Sequence, residues 1–148
     1  MPATLVDTNV LVYAHDPRDR RKQTAAADVL DILFAAERVV ISVQCMTEFF
    51  SAVRRLPEAM SAKEALDQIE QIARASRIVE VTAVVTFEAL RGVQRHGLSV
   101  WDALIWSAAK LNQIPYVLTE DAPRGRVLEG VRYLDPFDPA FDPLVLSA

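Results

Sequence analysis

Short apolar runs that alternate with helical patterns constrain the fold of this chain more than any other feature. Runs rich in β-branched residues occupy positions 4–6, 39–41, 78–81, 116–118 and 131–134. Stretches with helical periodicity separate most of them. This alternation is typical of a parallel sheet that is covered by helices on its faces. We therefore predict an α/β fold, a single domain with a central parallel sheet of about four to five strands flanked by helices.

Local signals predict where several helices begin and end. Ser42 and Thr82 each precede a helical pattern and suit the N-cap position. Ser61-Ala62-Lys63-Glu64 matches a capping box. Gly97 is predicted to end the helix that Thr82 begins.

The C-terminal segment differs in composition from the rest of the chain. Residues 135–143 contain three Asp-Pro steps, which are incompatible with a helix or a central strand. We predict a domain over residues 1–137 and an Asp-Pro-rich tail over 138–148. Phe137 is expected to anchor the start of this segment, and the chain is expected to fray beyond it.

Composition restricts the class of protein. The 148 residues are 51% hydrophobic and 24% charged, which is typical of a globular domain large enough to bury a core. Cys45 is the single cysteine, so no intrachain disulfide is possible and a reducing cytosol is expected. No secretory signal is visible at the N-terminus, and no apolar run approaches the roughly 20 residues that span a bilayer. We predict a cytoplasmic protein.

The charge balance argues against one mode of nucleic-acid binding. A net charge of −4 does not suit a protein that grips duplex nucleic acid with a broad basic face. Local basic groups nevertheless follow three of the acids described below. They are Arg18 to Lys22, Arg54-Arg55, and Arg124 with Arg126. Each is consistent either with a solvated surface or with phosphate contact.

Four acidic residues occupy related positions in the predicted fold. Asp7 and Asp121 follow the apolar runs 4–6 and 116–118, while Glu48 and Asp102 lie early in helical patterns. Ligands of open parallel sheets bind outside the carboxyl ends of the strands, and the following helices begin at that edge. We therefore expect the four carboxylates to share one crevice. A hard divalent cation is the simplest compensation for their charge.

Each acid also has an ordinary structural interpretation. Asp7 suits a turn and helix cap, and Asp102 is the third residue after Ser99, as in a capping box. Glu48 is also consistent with an exposed pair with Arg55, and Glu120-Asp121 with a solvated turn. Taken one at a time, these signals are weak. All four acids in this order and at these positions favour a shared site.

Four segments of the chain resemble PIN-domain ribonucleases, and within that group VapC-type toxins of toxin–antitoxin pairs. The segments are Val6 to Ala14, Thr47-Glu48-Phe49, Leu98 to Ile105, and Leu118 to Asp121, followed by Gly125 and Gly130-Val131. They occur in the family's order and span nearly the whole chain. The first and third segments are the most specific.

The resemblance implies the roles of the site residues and the cofactor. It implies a catalytic quartet of Asp7, Glu48, Asp102 and Asp121, with Asp121 matching the Thr-x-Asp pattern better than Glu120. It implies Mg²⁺ or Mn²⁺ as cofactor. We expect Asp7 and Asp102 to be the most direct ligands, with Asp121 also binding the metal. The nearby polar residues that would orient these carboxylates are Thr8, Asn9 and Thr119.

The function expected from this resemblance is metal-dependent endonucleolytic cleavage of RNA. The implied partners are a small antitoxin protein and a second copy of the chain. Apolar residues on helices 23–37 and 43–55 are consistent with an antitoxin groove or a dimer face, although ordinary core is more typical of such patterns. Two alternatives remain open. One is a metal-dependent phosphatase acting on small esters, and the other is a non-catalytic, receiver-like module that binds Mg²⁺ in an acidic pocket.

Overall fold

The computed structural model describes residues 1–121 and 126–147. The helices are α1 (Thr8–Tyr13), α2 (Arg20–Ala35), α3 (Val43–Val53), α4 (Ala62–Arg74), α5 (Ala83–His96) and α6 (Val100–Leu111). The strands are β1 (Thr4–Val6), β2 (Val39–Ser42), β3 (Arg77–Val79), β4 (Tyr116–Leu118), β5 (Val127–Leu128) and β6 (Val131–Leu134). A short 3-10 helix covers Pro143–Ser147. No helix in the described ranges is long and apolar enough to cross a membrane.

The strands form one mostly parallel sheet in the order β3-β2-β1-β4-β6-β5. β1 pairs in parallel with both β2 and β4, so the chain leaves β1 in one direction and returns later on its other side. Such a reversal of strand order opens a crevice at the carboxyl edge of the sheet. The topology therefore places the ends of β1 and β4 next to each other at this crevice.

The predicted α/β fold with a central parallel sheet is confirmed, but the described sheet has six strands instead of four to five. The additional strand, β5, has two residues and pairs antiparallel with β6. Such a short segment carries no periodicity that a sequence pattern can reveal. Glu129 and Gly130 form the connecting turn with φ of 49° and 88°. Two successive positive φ angles are the geometry of a tight hairpin.

Alternating strand residues build two separate cores on the two faces of the sheet. In β1 the side chain of Leu5 joins one core and that of Val6 joins the other, and Val117 and Leu118 divide in the same way in β4. Helices α1 to α4 contribute to the core that contains Val6. Helices α5 and α6 cover the other face and contribute Val85, Ile105 and Trp106, among others, to the core that contains Leu5. Both faces are covered, as a parallel sheet requires.

Most of the predicted helix ends are confirmed. Ser42 and Thr82 cap α3 and α5, and Ser61 and Glu64 make both hydrogen bonds of a capping box. Gly97 ends α5 with a φ of +68°. The helix cap suggested for Asp7 is also observed, because its carboxylate accepts from the Thr8 N–H at the start of α1.

An ion cluster holds the β5–β6 hairpin against α5 and α6. The Glu129 carboxylate lies 2.8 Å from His96 Nε2 and accepts hydrogen bonds from Arg95 and Lys110. These contacts, led by the His96 hydrogen bond, lower the pKa of Glu129 to about 2. Indole Nε1 of Trp106 donates to the carbonyl of Leu128 in the same hairpin. The strand that no pattern predicted is therefore held by side chains of α5 and α6 as well as by its pairing with β6.

The C-terminal segment packs against the domain instead of fraying. Phe137 is buried and meets Tyr13 edge to face, as expected for an anchor. Beyond it, Phe141 is partly buried against the core and Leu146 is fully buried within it. The predicted fraying beyond Phe137 is therefore wrong for this segment, since its apolar residues cover the core. The domain boundary at residue 137 stays a prediction.

Candidate metal centre and active-site cleft

A cleft of about 620 Å³ opens at the carboxyl edge of the sheet, where β1 and β4 end. All four predicted acids line it, together with neutral polar residues from α1 and α3. The acidic lining residues are Asp7, Asp16, Glu48, Asp102 and Asp121. The expectation that the fold brings the quartet to one crevice therefore agrees with the geometry.

Asp7 connects β1 to α1, and both of its carboxylate oxygens accept hydrogen bonds. Oδ1 accepts from the backbone N–H of Thr8 at 2.7 Å, and Oδ2 accepts from the Thr119 hydroxyl at 2.9 Å. Burial raises the pKa of Asp7 to about 6, against these hydrogen bonds, and the charges of Glu48 and Asp102 add to the rise. The ionised form is therefore costly in the protein alone, and a cation would stabilise it.

Asp102 and Asp121 complete a three-carboxylate cluster with Asp7. One oxygen from each carboxylate lies within 4.8 Å of the other two. Burial and the charge of Asp102 raise the pKa of Asp121. Three convergent carboxylate oxygens fit a hard cation such as Mg²⁺ or Mn²⁺, which prefers oxygen ligands and retains several waters.

The capping-box interpretation of Asp102 holds only in part. Its backbone N–H donates to Ser99 Oγ at 3.1 Å, so Ser99 does cap α6. The Asp102 carboxylate does not return the bond, and within residues 1–121 and 126–147 it makes no hydrogen bond or ion pair. The cap therefore holds the first turn of α6, while the carboxylate faces the cleft.

Asn9 fastens the loop that carries Asp121 onto helix α1. Its Nδ2 donates to Thr119 Oγ1 at 3.2 Å and to Asp121 Oδ2 at 3.3 Å. Its Oδ1 accepts from the backbone N–H of Glu120 at 3.2 Å. Thr119 in turn donates to Asp7, so Asn9 and Thr119 together connect two of the three carboxylates.

Asp121, and not Glu120, faces the cluster. The Glu120 carboxylate is 2.8 Å from Lys22 Nζ on α2, and Lys22 also lies over the rings of Tyr13 and Phe137. This pairing directs Glu120 away from Asp7 and towards α2. The Thr-x-Asp pattern therefore indicated the correct residue, because Asp121 is the one that lies beside Asp7 and Asp102.

Glu48 lies in the cleft but outside the three-carboxylate cluster. Its oxygens accept from the Thr8 hydroxyl at 2.9 Å and from Gln44 Nε2 at 2.8 Å. No ion pair with Arg55 forms, so that alternative is not what the structure shows. Thr8 links Glu48 to the Asp7 end of the cluster, because its backbone N–H donates to Asp7.

Two further lining residues were not identified as site residues from sequence. Arg18 is the one cation among the described lining residues, and the buried Asp16 carboxylate holds its guanidinium through Nε at 3.0 Å and Nη2 at 2.8 Å. Trp101 lines the same cleft with 66% of its surface exposed. A sequence signal existed for each, since Arg18 begins a basic run and Trp101 precedes Asp102.

The other basic groups contribute less. Arg54 and Arg55 are exposed and do not line the cleft. Arg126 is also exposed. Arg124 and Gly125 of the sequence prediction lie outside the described residues.

A comparison of this sequence with models of known protein families identifies the family to which the chain belongs. The PIN domain model matches residues 4–123, which include every acid of the quartet. The chain belongs to the PIN domain family. The family that the sequence resemblance indicated is therefore confirmed, and the α/β fold described above is that of a PIN domain.

Several solved structures share this PIN fold at low sequence identity. A toxin–antitoxin complex from Klebsiella pneumoniae matches with a TM-score of 0.68 at 17% identity, over 90% of this chain and 98% of that one. DNA-bound VapBC from Salmonella typhimurium matches with a TM-score of 0.65 at 14% identity, over 92% and 99%. VapC20 of Mycobacterium tuberculosis, described as a sarcin-ricin loop cleaving toxin, matches with 0.65 at 20% identity, over 88% and 99%. No protein of curated function matches the chain significantly.

Proposed function

We propose that this PIN domain is a metal-dependent endoribonuclease and the toxin of a toxin–antitoxin pair. The observation that carries the proposal is the cluster of Asp7, Asp102 and Asp121, whose oxygens converge within 4.8 Å in an open cleft. A phosphodiester cannot approach three carboxylates unless their charge is neutralised. A bound divalent cation supplies that neutralisation.

The proposed roles follow from the hydrogen bonds of each residue. Asp7, Asp102 and Asp121 would hold Mg²⁺ or Mn²⁺, which when bound acidifies water and neutralises charge on the phosphate. Glu48, held by Thr8 and Gln44 on the other side of the cleft, would accept the proton of the attacking water. The water oxygen bonds to phosphorus, the bond from phosphorus to the leaving ribose oxygen breaks, and a solvent water supplies the proton that this oxygen gains.

The rim of the cleft suits a single-stranded polynucleotide. Arg18 is fixed by buried Asp16 and retains guanidinium N–H groups for a phosphate. Trp101 presents an exposed indole on which a base can stack. These two groups supply charge and stacking in a chain with a net charge of −4. Arg18 would serve any phosphate, whereas the exposed indole of Trp101 favours a polynucleotide over a small phosphate ester that carries no base.

The proposed partners are a small antitoxin and a second copy of the chain. The similar structures include toxin–antitoxin complexes, and an antitoxin with a basic side chain would complement the acidic cleft. On α2 and α3 most large apolar residues are core, and Ile32 and Val43 are the exposed exceptions. Helix α5 instead exposes Val84, Phe87 and Leu90, which supports a dimer face there. The buried free thiol of Cys45 supports a cytoplasmic location.

The decisive experiment compares substrates and metals with antitoxin-free protein. Single-stranded RNA, matching DNA and a small phosphate ester are each incubated in Mg²⁺, Mn²⁺ or EDTA. We expect cleavage of RNA alone, dependent on metal and lost in Asp7→Asn and Asp102→Asn. Glu58→Gln, at an exposed position away from the cleft lining, is the matched control and should retain full activity.

The other outcomes identify the competing functions. Hydrolysis of the small ester without RNA cleavage would indicate a phosphatase. Metal binding without turnover on any substrate would indicate a regulatory module. Cleavage that persists in EDTA would overturn the metal assignment while leaving the nuclease.

A further inference from the structure

Tyr133 carries a buried hydroxyl for which the described residues provide no hydrogen-bond partner. The side chain lies on β6 and is 6% exposed, and its hydroxyl oxygen is fully enclosed. Buried polar groups are nearly always hydrogen-bonded, so an unpartnered hydroxyl in a core calls for a specific explanation. Tyr133 is absent from the quartet and from the polar residues predicted to support it.

The hydroxyl belongs to a cavity that the three clustered carboxylates also line. This cavity has a volume of about 30 Å³ and shares the lining residues Asp7, Asp102 and Asp121 with the main cleft. Its lining includes Asp7, Asp102, Thr119, Asp121 and Tyr133. Tyr133 reaches it because β6 pairs in parallel with β4, with Val117 opposite Tyr133, on the sheet face that α6 covers. A cavity of this size accommodates one ordered water where polar groups such as these carboxylates and hydroxyls line part of it.

Within the described part of the chain, the Asp102 carboxylate lacks a hydrogen-bond donor, just as the Tyr133 hydroxyl lacks an acceptor. This carboxylate accepts no hydrogen bond from the described residues, whereas Asp7 and Asp121 each accept at least one. Among charged groups, Asp102 has the largest influence on the pKa of Tyr133, which burial and this charge both raise. The Tyr133 hydroxyl, which has no acceptor among the described residues, and the Asp102 carboxylate, which has no donor among them, therefore line the same cavity, which is large enough for one water.

We propose that Tyr133 is a positioning residue for the metal centre. Its hydroxyl donates a hydrogen bond to one ordered water in the cavity, and that water donates to the Asp102 carboxylate. The bridge holds Asp102 in the orientation in which its oxygen converges with those of Asp7 and Asp121. The consequence for metal binding rests on the proposed function, whereas the bridge itself does not.

The first test measures metal affinity in the absence of RNA. Tyr133→Phe keeps the packed ring and removes only the hydroxyl. Partners that orient a metal ligand typically contribute about 10–100-fold in affinity. We expect Mn²⁺ to bind Tyr133→Phe roughly 10-fold more weakly than wild type by calorimetry or electron paramagnetic resonance. Tyr116→Phe is the matched control, because Tyr116 is a buried tyrosine of the neighbouring strand outside both cavities.

The second test detects the bridge without any metal. The chain has three tyrosines, Tyr13, Tyr116 and Tyr133, so ¹³Cζ-tyrosine NMR resonances can be assigned by single Phe substitutions at Tyr13 and Tyr116. Asp102→Ala should shift the Tyr133 ¹³Cζ resonance, since it removes the acceptor at the end of the bridge. Glu48→Ala removes a carboxylate outside the small cavity and should leave it in place.

The two tests separate the inference from the proposed function. Equal Mn²⁺ affinity in wild type and Tyr133→Phe would overturn the positioning role while leaving the metal site. A wild-type protein that binds no Mn²⁺ would refute the metal proposal, and the NMR test would then decide the bridge alone. A Tyr133 resonance that is the same in wild type and Asp102→Ala would overturn the bridge. The NMR test also applies if Tyr133→Phe fails to fold.

Discussion

At the scale of single residues, the cleft concentrates carboxylates whose ionised forms are costly without a cation. Asp7 is the clearest case, because it both caps α1 and contributes to the three-oxygen cluster. Its burial and the nearby charges of Glu48 and Asp102 outweigh two hydrogen bonds and raise its pKa. A residue that looks like an ordinary helix cap in the sequence is therefore under electrostatic strain in the fold.

This strain predicts that Asp7→Asn stabilises the metal-free protein near neutral pH. The pKa of Asp7 is about 6 in the folded protein against a reference of 3.8. Between these values the folded state binds more protons than the unfolded state, so wild-type stability falls as pH rises from about 4 to 6. Above that range Asp7→Asn should be more stable by about 1–3 kcal/mol, and below about pH 4 the advantage should vanish.

Urea unfolding in EDTA at several pH values measures this difference. Asn retains an acceptor for the Thr8 N–H, so the cap survives, but its amide NH₂ replaces the acceptor of the Thr119 hydroxyl, which makes the gain smaller than removal of the charge alone would give. Asp28→Asn, at an exposed position of α2, is the control and should show no such pH-dependent gain. Parallel pH profiles for wild type and Asp7→Asn would contradict the prediction.

Substitution of Trp101 tests whether the cleft binds a polynucleotide. If a base stacks on its exposed indole, Trp101→Ala should weaken single-stranded RNA binding by about 1–3 kcal/mol, or roughly 5- to 150-fold. Trp101→Phe should retain much of the affinity. Fluorescence anisotropy in Mg²⁺, with Glu48→Gln present in every protein compared, measures binding without cleavage and keeps the three carboxylates of the metal cluster. Leu144→Ala removes a side chain that is 74% exposed elsewhere and should have no effect. Unchanged affinity in Trp101→Ala would refute the stacking role.

At the scale of elements, the α5–α6 pair supports the helix that carries Asp102. The two helices approach closely at Gly92, which is buried on α5 against the indole of Trp106 on α6. A Cβ atom at Gly92 would lie 2.5 Å and 2.7 Å from two ring carbons of Trp106. The close approach therefore depends on the absence of a side chain.

Gly92→Ala should destabilise the protein even though alanine is the better helix former. The gain in helix propensity is at most about 1 kcal/mol, while overpacking a filled core typically costs about 1–3 kcal/mol. We expect a net loss of about 1 kcal/mol in the free energy of urea unfolding. Gln94→Ala, at an exposed position of the same helix, should be neutral or stabilising. A more stable Gly92→Ala would show that Trp106 can move aside without cost.

At the scale of the whole molecule, metal binding and folding stability are linked. The acidic cluster lies between elements from distant parts of the chain, so an ion held there favours only the folded state. A ligand at about 100 times its Kd adds about 2.7 kcal/mol to the free energy of unfolding. Millimolar Mn²⁺ or Mg²⁺ should therefore raise the Tm by several degrees in wild type and much less in Asp102→Asn. An unchanged wild-type Tm would count against the metal site.

The exposed face of α5 predicts the oligomeric state. Val84, Phe87 and Leu90 are 66%, 62% and 48% exposed, which is unusual for three large apolar residues on one helix. We expect a dimer by light scattering, and Phe87→Glu should shift it to monomer by placing a charge on that face. Leu144→Glu is the control at another exposed leucine and should remain dimeric. If Phe87→Glu remained a dimer, the dimer interface would have to lie on a surface other than the exposed face of α5.

Several features of this protein were determined by local sequence. The parallel α/β architecture follows from strand runs that alternate with helical patterns, and the caps at Ser42, Ser61 and Thr82 depend on neighbouring residues alone. Asp7 directly follows β1, and Asp121 lies in the loop that follows β4, so their meeting at one sheet edge needed only the assumption that β1 and β4 are neighbours. That assumption agrees with the observed pairing.

Other features were decided only by tertiary structure, because they depend on residues far apart in the chain. Strand β5 is held by an ion cluster and by Trp106, and the direction of Glu120 is set by Lys22, nearly a hundred residues earlier. Tyr133 reads as one more core residue of a strand, since an alternating pattern gives the face of the sheet but not the neighbours of a hydroxyl. Hydrogen-bond partners across 30 to 110 residues are a property of packing, and packing is absent from any local pattern.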